Sequence, residues 1–174
     1  MFLIESNNKY FESTVASLFK QKKNLFTTIE YDNYFAKISF NFTNHYLNLE
    51  INNKKIIKID LPLTFKLLFH QTISELKTIQ YRYKELSYFP INQIVSYKSK
   101  FLNLINSHNT ILIYLLLNKQ GISKDIIYKS LWPNDKVQMI NKLDTHLTNF
   151  KNNLKKEINY DLKLQSTGGI LKLI

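Results

Sequence analysis

A chain of 174 residues, 44% hydrophobic and 14% aromatic, is long and apolar enough to bury a core, which excludes intrinsic disorder. It has no cysteine, so disulfide frameworks, thiolate nucleophiles and thiolate metal sites are excluded. The net charge of +11 suits a nucleic-acid ligand, but twenty-three lysines beside one arginine, Arg82, also fit A+T-rich coding.

The excess charge is spread: residues 1–104 hold fourteen basic and eight acidic side chains, and 105–174 hold ten and five. The opening "MFLIESNNKY" has too short an apolar run for a signal peptide. The longest apolar run, "ILIYLLL" at 111–117, is far below the about 20 residues of a membrane span. A cytoplasmic location without membrane contact is expected.

Residues 6–23 read as a helix, with Ser6 as N-cap and Tyr10, Phe11, Val15, Leu18 and Phe19 on one stripe. From 25 to 60 the period changes to two. This predicts a meander of three or four antiparallel strands, with turns at 43–45 and 52–54. Pro62 opens a long helix over 63–86, with Thr64 as cap candidate and Leu67, Leu68, Ile73, Leu76 and Ile79 as its apolar stripe. Short alternating segments over 89–106 suit small strands. A domain boundary is expected between residues 87 and 88.

The last third is more specific. Residues 109–121 form a helix closed by Gly121 at the position just past its end. Ser123 caps a second helix over 122–133 that buries Ile126, Ile127, Leu131 and Trp132, and Pro133 stops it. A third helix spans 137–157, where Leu143, Leu147, Phe150 and Leu154 form the apolar face. The opposite face offers Asn141, Lys142, Thr145, Thr148, Asn149, Lys151, Asn152 and Lys155. Strands at 162–166 and 170–174 flank Thr167-Gly168-Gly169, a hairpin turn signal.

Helix, turn, helix, basic helix and hairpin is the order of a winged helix-turn-helix. Three segments carry a resemblance to the effector domain of OmpR/PhoB-type response regulators. They are "GISKDIIYKSLW" (121–132), "LDTHLTNFKNNL" (143–154) and "LQSTGGILKL" (164–173). The second is similar to the family's helix pattern L-x-x-H-I-x-x-L-R-x-K-L, and the third to its wing, T-x-x-G-x-G-Y-x-L or T-x-x-G-G-Y-x-L. The resemblance covers residues 90–174 and implies DNA contacts from His146, Thr148, Asn149 and Lys151, with Ser166 and Thr167 on the wing. The chain departs from the family at Thr148, Asn149 and Lys151, where arginine is common, at Ile170, where the wing has tyrosine, and at Asn109, where the first helix has glutamate. Lysine attracts phosphate without reading guanine bidentately, whereas Asn149 can pair with adenine.

The first half resembles a shortened receiver domain, with an unrelated strand-rich dimerisation or docking domain as the alternative: "FLIES" is similar to the receiver's first strand, and "IDLPLTFKLLFHQTISEL" to its last strand, proline and final helix. Phosphorylation chemistry finds no support. Only Glu5 follows the first strand, Glu50 has no partnering Asp, and Leu61 stands in the lysine slot, so no phosphoacceptor is expected.

The fold expected is therefore α+β: a strand-rich N-terminal domain with two helices (1–87), then a C-terminal winged helix-turn-helix (88–174). The function expected is a DNA-binding transcription regulator that works without phosphorylation. The alternative is a protein-interaction adaptor whose winged helix has lost DNA readout. Expected partners are double-stranded DNA, a second copy of the chain, and RNA polymerase or another regulatory protein. His45, His70, His108 and His146 share no metal-ligand spacing, and no carboxylate pair or Ser/His/Asp set suggests catalysis. No catalytic residue, metal or cofactor is expected.

Overall fold

The computed structural model describes residues 1–22, 25–27, 34–43, 45–52, 55–137 and 139–174. Of the expected elements, residues 28–33 of the strand region, Asn44, Asn53 and Lys54 of the turns, and Lys23 and Gln138 of the helices lie outside the described residues. The chain is α+β and divides into two compact units, Met1–Ile79 and Gln80–Ile174.

The first unit runs β1 (Phe2–Ser6), α1 (Lys9–Lys22), β2 (Phe26–Thr27), β3 (Ala36–Phe42), β4 (Tyr46–Ile51), β5 (Lys55–Asp60) and α2 (Phe65–Leu76). Its sheet has the order β2-β1-β3-β4-β5. The expected antiparallel meander holds for β3, β4 and β5. It fails for β2, because β1 lies between β2 and β3 and pairs in parallel with both. The reason is visible in β1 itself: Phe2, Leu3 and Ile4 are all buried, and a continuous apolar run belongs in the middle of a sheet. In β4 only alternate residues, Leu47, Leu49 and Ile51, are buried. Phe19 of α1 meets Phe26, Phe40, Phe65 and Phe69 edge-on, which ties both helices to one face of the sheet.

Helix α1 is capped by Asn8, not Ser6: the Phe11 N–H donates to Asn8 Oδ1 at 3.1 Å. Ser6 ends β1, and its hydroxyl donates to the Phe40 carbonyl at 2.7 Å. Tyr10, expected on the apolar stripe, is exposed, as is Leu67 of α2. Thr64 caps α2 by accepting from the Leu67 N–H. The helix ends at Leu76, well short of the expected end, because Tyr81 and Tyr83 alternate with Arg82 and pair as a strand with Tyr88 and Leu86.

The second unit opens with a four-stranded antiparallel sheet, β6 (Tyr81–Tyr83), β7 (Leu86–Phe89), β8 (Ile94–Tyr97) and β9 (Lys100–Asn103). The compact units divide at 79/80, ahead of the expected 87/88, because β6 is a strand of this sheet. Next come α3 (Asn106–Leu117), β10 (Ile122–Ser123), α4 (Lys124–Leu131), α5 (Ile140–Ile158), β11 (Leu164–Thr167) and β12 (Ile170–Leu173). Helix α3 buries Ile111, Leu112, Ile113 and Leu115 to Leu117, so it is apolar nearly all round and central to its unit. Against it lie Ile127 and Tyr128 of α4 and Leu143, Leu147, Phe150, Leu154 and Ile158 of α5. Asn109, also buried, accepts a 2.6 Å hydrogen bond from the Tyr88 hydroxyl.

Among the described residues no helix is long and apolar enough to cross a membrane.

Candidate nucleic-acid interface

Gly168 and Gly169 have φ of 57° and 77°, and Thr167 pairs with Ile170 across them. Positive φ at both central residues is the two-residue turn whose twist suits a hairpin. Strand β12 also pairs with β10, giving the order β10-β12-β11. The Lys124 N–H donates to the Gly169 carbonyl at 2.8 Å, so the hairpin tip is fastened to the start of α4.

Gly121 does not close α3, whose C-cap is Asn118. It lies further on, at φ 109°, where an added Cβ would stand 2.7 Å from Ile170 Cγ2 and 3.2 Å from the Leu171 carbonyl oxygen. Its role is to let the hairpin come close, a packing requirement rather than a helix stop.

Ser123 caps α4 by accepting from the Asp125 N–H, as expected for this residue type. Of the four residues expected to be buried there, Ile127 is. Ile126 is exposed, Leu131 and Trp132 are half-buried, and Tyr128 is buried in their place. The Tyr128 hydroxyl donates to Asp135 at 2.7 Å and accepts from the Met139 N–H at 3.0 Å. Lys142 Nζ adds a 2.8 Å ion pair to Asp135 and lies 4.3 Å from the Trp132 ring centre. Hydrogen bonds from Lys142 and Tyr128 hold the Asp135 carboxyl below the usual carboxylate range. This network fastens the connection between α4 and α5.

The expected contact residues therefore separate. Asn141, Thr145, Thr148, Asn149 and Lys155 share the exposed face of α5, and Ser166 and Thr167 are exposed on the hairpin. Asn141, Thr145, Thr148 and Asn149 line, with Asp144, a shallow concavity of about 340 Å³. Lys151 is half-buried at the edge of this face. Two expected residues leave it. Lys142 is held by Asp135 and Trp132, and His146 packs 5.2 Å from the Trp132 ring and 6.3 Å from that of His108. The helical period accounts for His146: one residue before Leu147 and four before Phe150, it flanks the buried face.

Asp144, absent from the expected set, is bound to Lys124 Nζ at 2.6 Å and links α5 to the start of α4. Sequence spacing offers no signal for that pair, since twenty residues separate its members. Burial pushes the His108 imidazole below its ordinary value, and His146 adds to the effect. Among the described residues no group of three or more His, Cys, Asp or Glu side chains could hold a metal ion.

No protein-family model matches the chain, and no curated protein matches its sequence.

Proposed function

We propose that the chain is a DNA-binding transcription regulator whose second unit is a winged helix of the OmpR/PhoB type. In this reading α5 enters the major groove and the β11–β12 hairpin touches flanking backbone. One observation carries it: an exposed Asn/Thr face on α5 continues into cationic residues at its C-terminal end, and the hairpin tip, fastened to the start of α4, is exposed as well. Charge supports it as well, because residues 80–174 hold fourteen basic and six acidic side chains. The first unit serves as a shortened, phosphorylation-independent receiver relative. Its strand order 2-1-3-4-5 is that of flavodoxin-like sheets, although β4 runs antiparallel. Pairing of two copies through this unit would set the spacing of two DNA half-sites.

The test is a mobility shift with duplex DNA at low and moderate salt. The wild-type chain is expected to bind with affinity that falls as salt rises, and Lys151→Glu with Lys155→Glu to lose binding. Lys142 is unsuitable for this purpose because its ion pair and ring contact are structural. Salt-independent binding, or binding unchanged in the double variant, would refute the proposal.

A second reading, a protein-interaction adaptor, is favoured by one specific observation. Val137 and Met139, in the connection between α4 and α5, expose apolar side chains. An adaptor predicts no duplex binding at any salt, and binding losses to a protein partner on Val137→Asp.

A further inference from the structure

We infer that the exposed face of α5 reads A·T base pairs directly, with Asn141 and Asn149 as adenine readers and Thr145 and Thr148 as contacts for thymine methyl groups. The inference rests on the DNA-binding reading above and deepens it by naming the sequence class. No arginine stands anywhere on α5, so the bidentate guanine contact of a guanidinium is missing. What the face offers is the carboxamide, whose donor and acceptor match adenine N7 and N6 in the major groove. No hydrogen bond to a described residue engages the side chains of Asn141, Thr148 or Asn149, so these groups are free to meet a base edge. The Thr145 hydroxyl donates to the Asn141 carbonyl at 2.8 Å, which uses its donor and leaves its methyl group as the distinctive contact.

Charge along α5 divides the work in the same sense. Asn141, Thr145, Thr148 and Asn149 are neutral, and the one carboxylate among them, Asp144, is paired with Lys124 at 2.6 Å. Lys151, Lys155 and Lys156 follow towards the C-terminal end, where they can meet the backbone. Phosphate contacts position a protein and base contacts specify sequence, and here the two sets occupy different halves of one helix. Asn141 and Asn149 are eight residues apart, about 12 Å along the helix axis. For a helix lying along the groove that corresponds to about three or four base pairs at about 3.4 Å each. The preferred duplex carries adenines at that separation.

The experiment is fluorescence anisotropy on the full chain with duplexes of equal length. One is A·T-only, with adenines at the stated spacing, and one is G·C-only. Two more repeat the first with 7-deaza-adenine for adenine or deoxyuridine for thymine. Expected is a preference for A·T of at least about fivefold, reduced about fivefold by Asn149→Ala or by 7-deaza-adenine, and reduced also by deoxyuridine. Thr148→Val is expected to keep the preference and Thr148→Ser to weaken it. Equal binding of A·T and G·C duplexes overturns the inference alone and leaves the DNA-binding proposal standing. A preference that persists in Asn141→Ala with Asn149→Ala, or with 7-deaza-adenine, also overturns it and assigns the preference to duplex shape. Failure to bind any duplex at low salt overturns both. The substituted residues are exposed, and an unchanged denaturation midpoint by Trp132 fluorescence verifies folding of each variant.

Discussion

Gly121→Ala is the sharpest perturbation the fold offers. The new Cβ meets two obstacles: a backbone φ of 109°, and atoms of β12 at 2.7 and 3.2 Å. A positive φ costs an L-residue about 1–2 kcal/mol. Overpacking a site that cannot give way costs about 1–3 kcal/mol more. The Leu171 carbonyl is backbone and paired within the sheet, so little relief is available there. A total loss of about 2–5 kcal/mol is expected for the second unit. Gly169→Ala is the control: its φ is 77°, but nothing lies within 4 Å of the added Cβ, so only about 1–2 kcal/mol is expected. Urea denaturation followed by fluorescence separates them, because the single tryptophan, Trp132, reports the second unit. Ile170→Ala added to Gly121→Ala should recover part of the loss by removing the nearer contact. If Gly121→Ala costs no more than Gly169→Ala, close approach of the hairpin is not what Gly121 provides.

Two further outcomes follow from buried polar groups. Tyr88→Phe removes the hydroxyl that donates to the buried Asn109 carboxamide and should cost about 1–3 kcal/mol in the same urea assay, whereas a loss near zero would deny that bond a structural role. The His108 imidazole, pressed on Phe150 at 5.0 Å and facing His146, is held below its ordinary value of 6.5 by burial first and His146 second. The unfolded chain then binds more protons than the folded one around and below pH 6.5, so stability is full above that value and falls as pH drops through the window beneath it. His108→Gln should flatten this decline between about pH 7 and about pH 5, and an unchanged slope would assign it to other groups.

Much of the local structure was legible in the residues themselves. Ser123, Thr64 and the Gly168-Gly169 pair act over a few positions, and each does what its chemistry predicts at that range. The 4-3-4 spacing of Leu143, Leu147, Phe150 and Leu154 likewise announced which side of α5 is buried. Exposed residues at the centre of the opposite face, such as Thr145 and Thr148, were legible for the same reason.

Partnerships between distant segments were not legible. Nothing near Tyr81 says that it pairs with Tyr88 rather than extending α2, and nothing near Phe26 says that β1 will lie between β2 and β3. Lys142 looked like a free cation until Asp135 and Trp132 were brought to it, and His146 looked exposed until Trp132 and His108 closed over its edge. The caps at Thr64 and Ser123, the Gly168-Gly169 turn and the buried face of α5 are decided by interactions within a few residues, so the sequence by itself determines them. Strand order, the fit of Gly121 against β12 and the availability of each charge depend on which surfaces meet, and only the tertiary structure decides that.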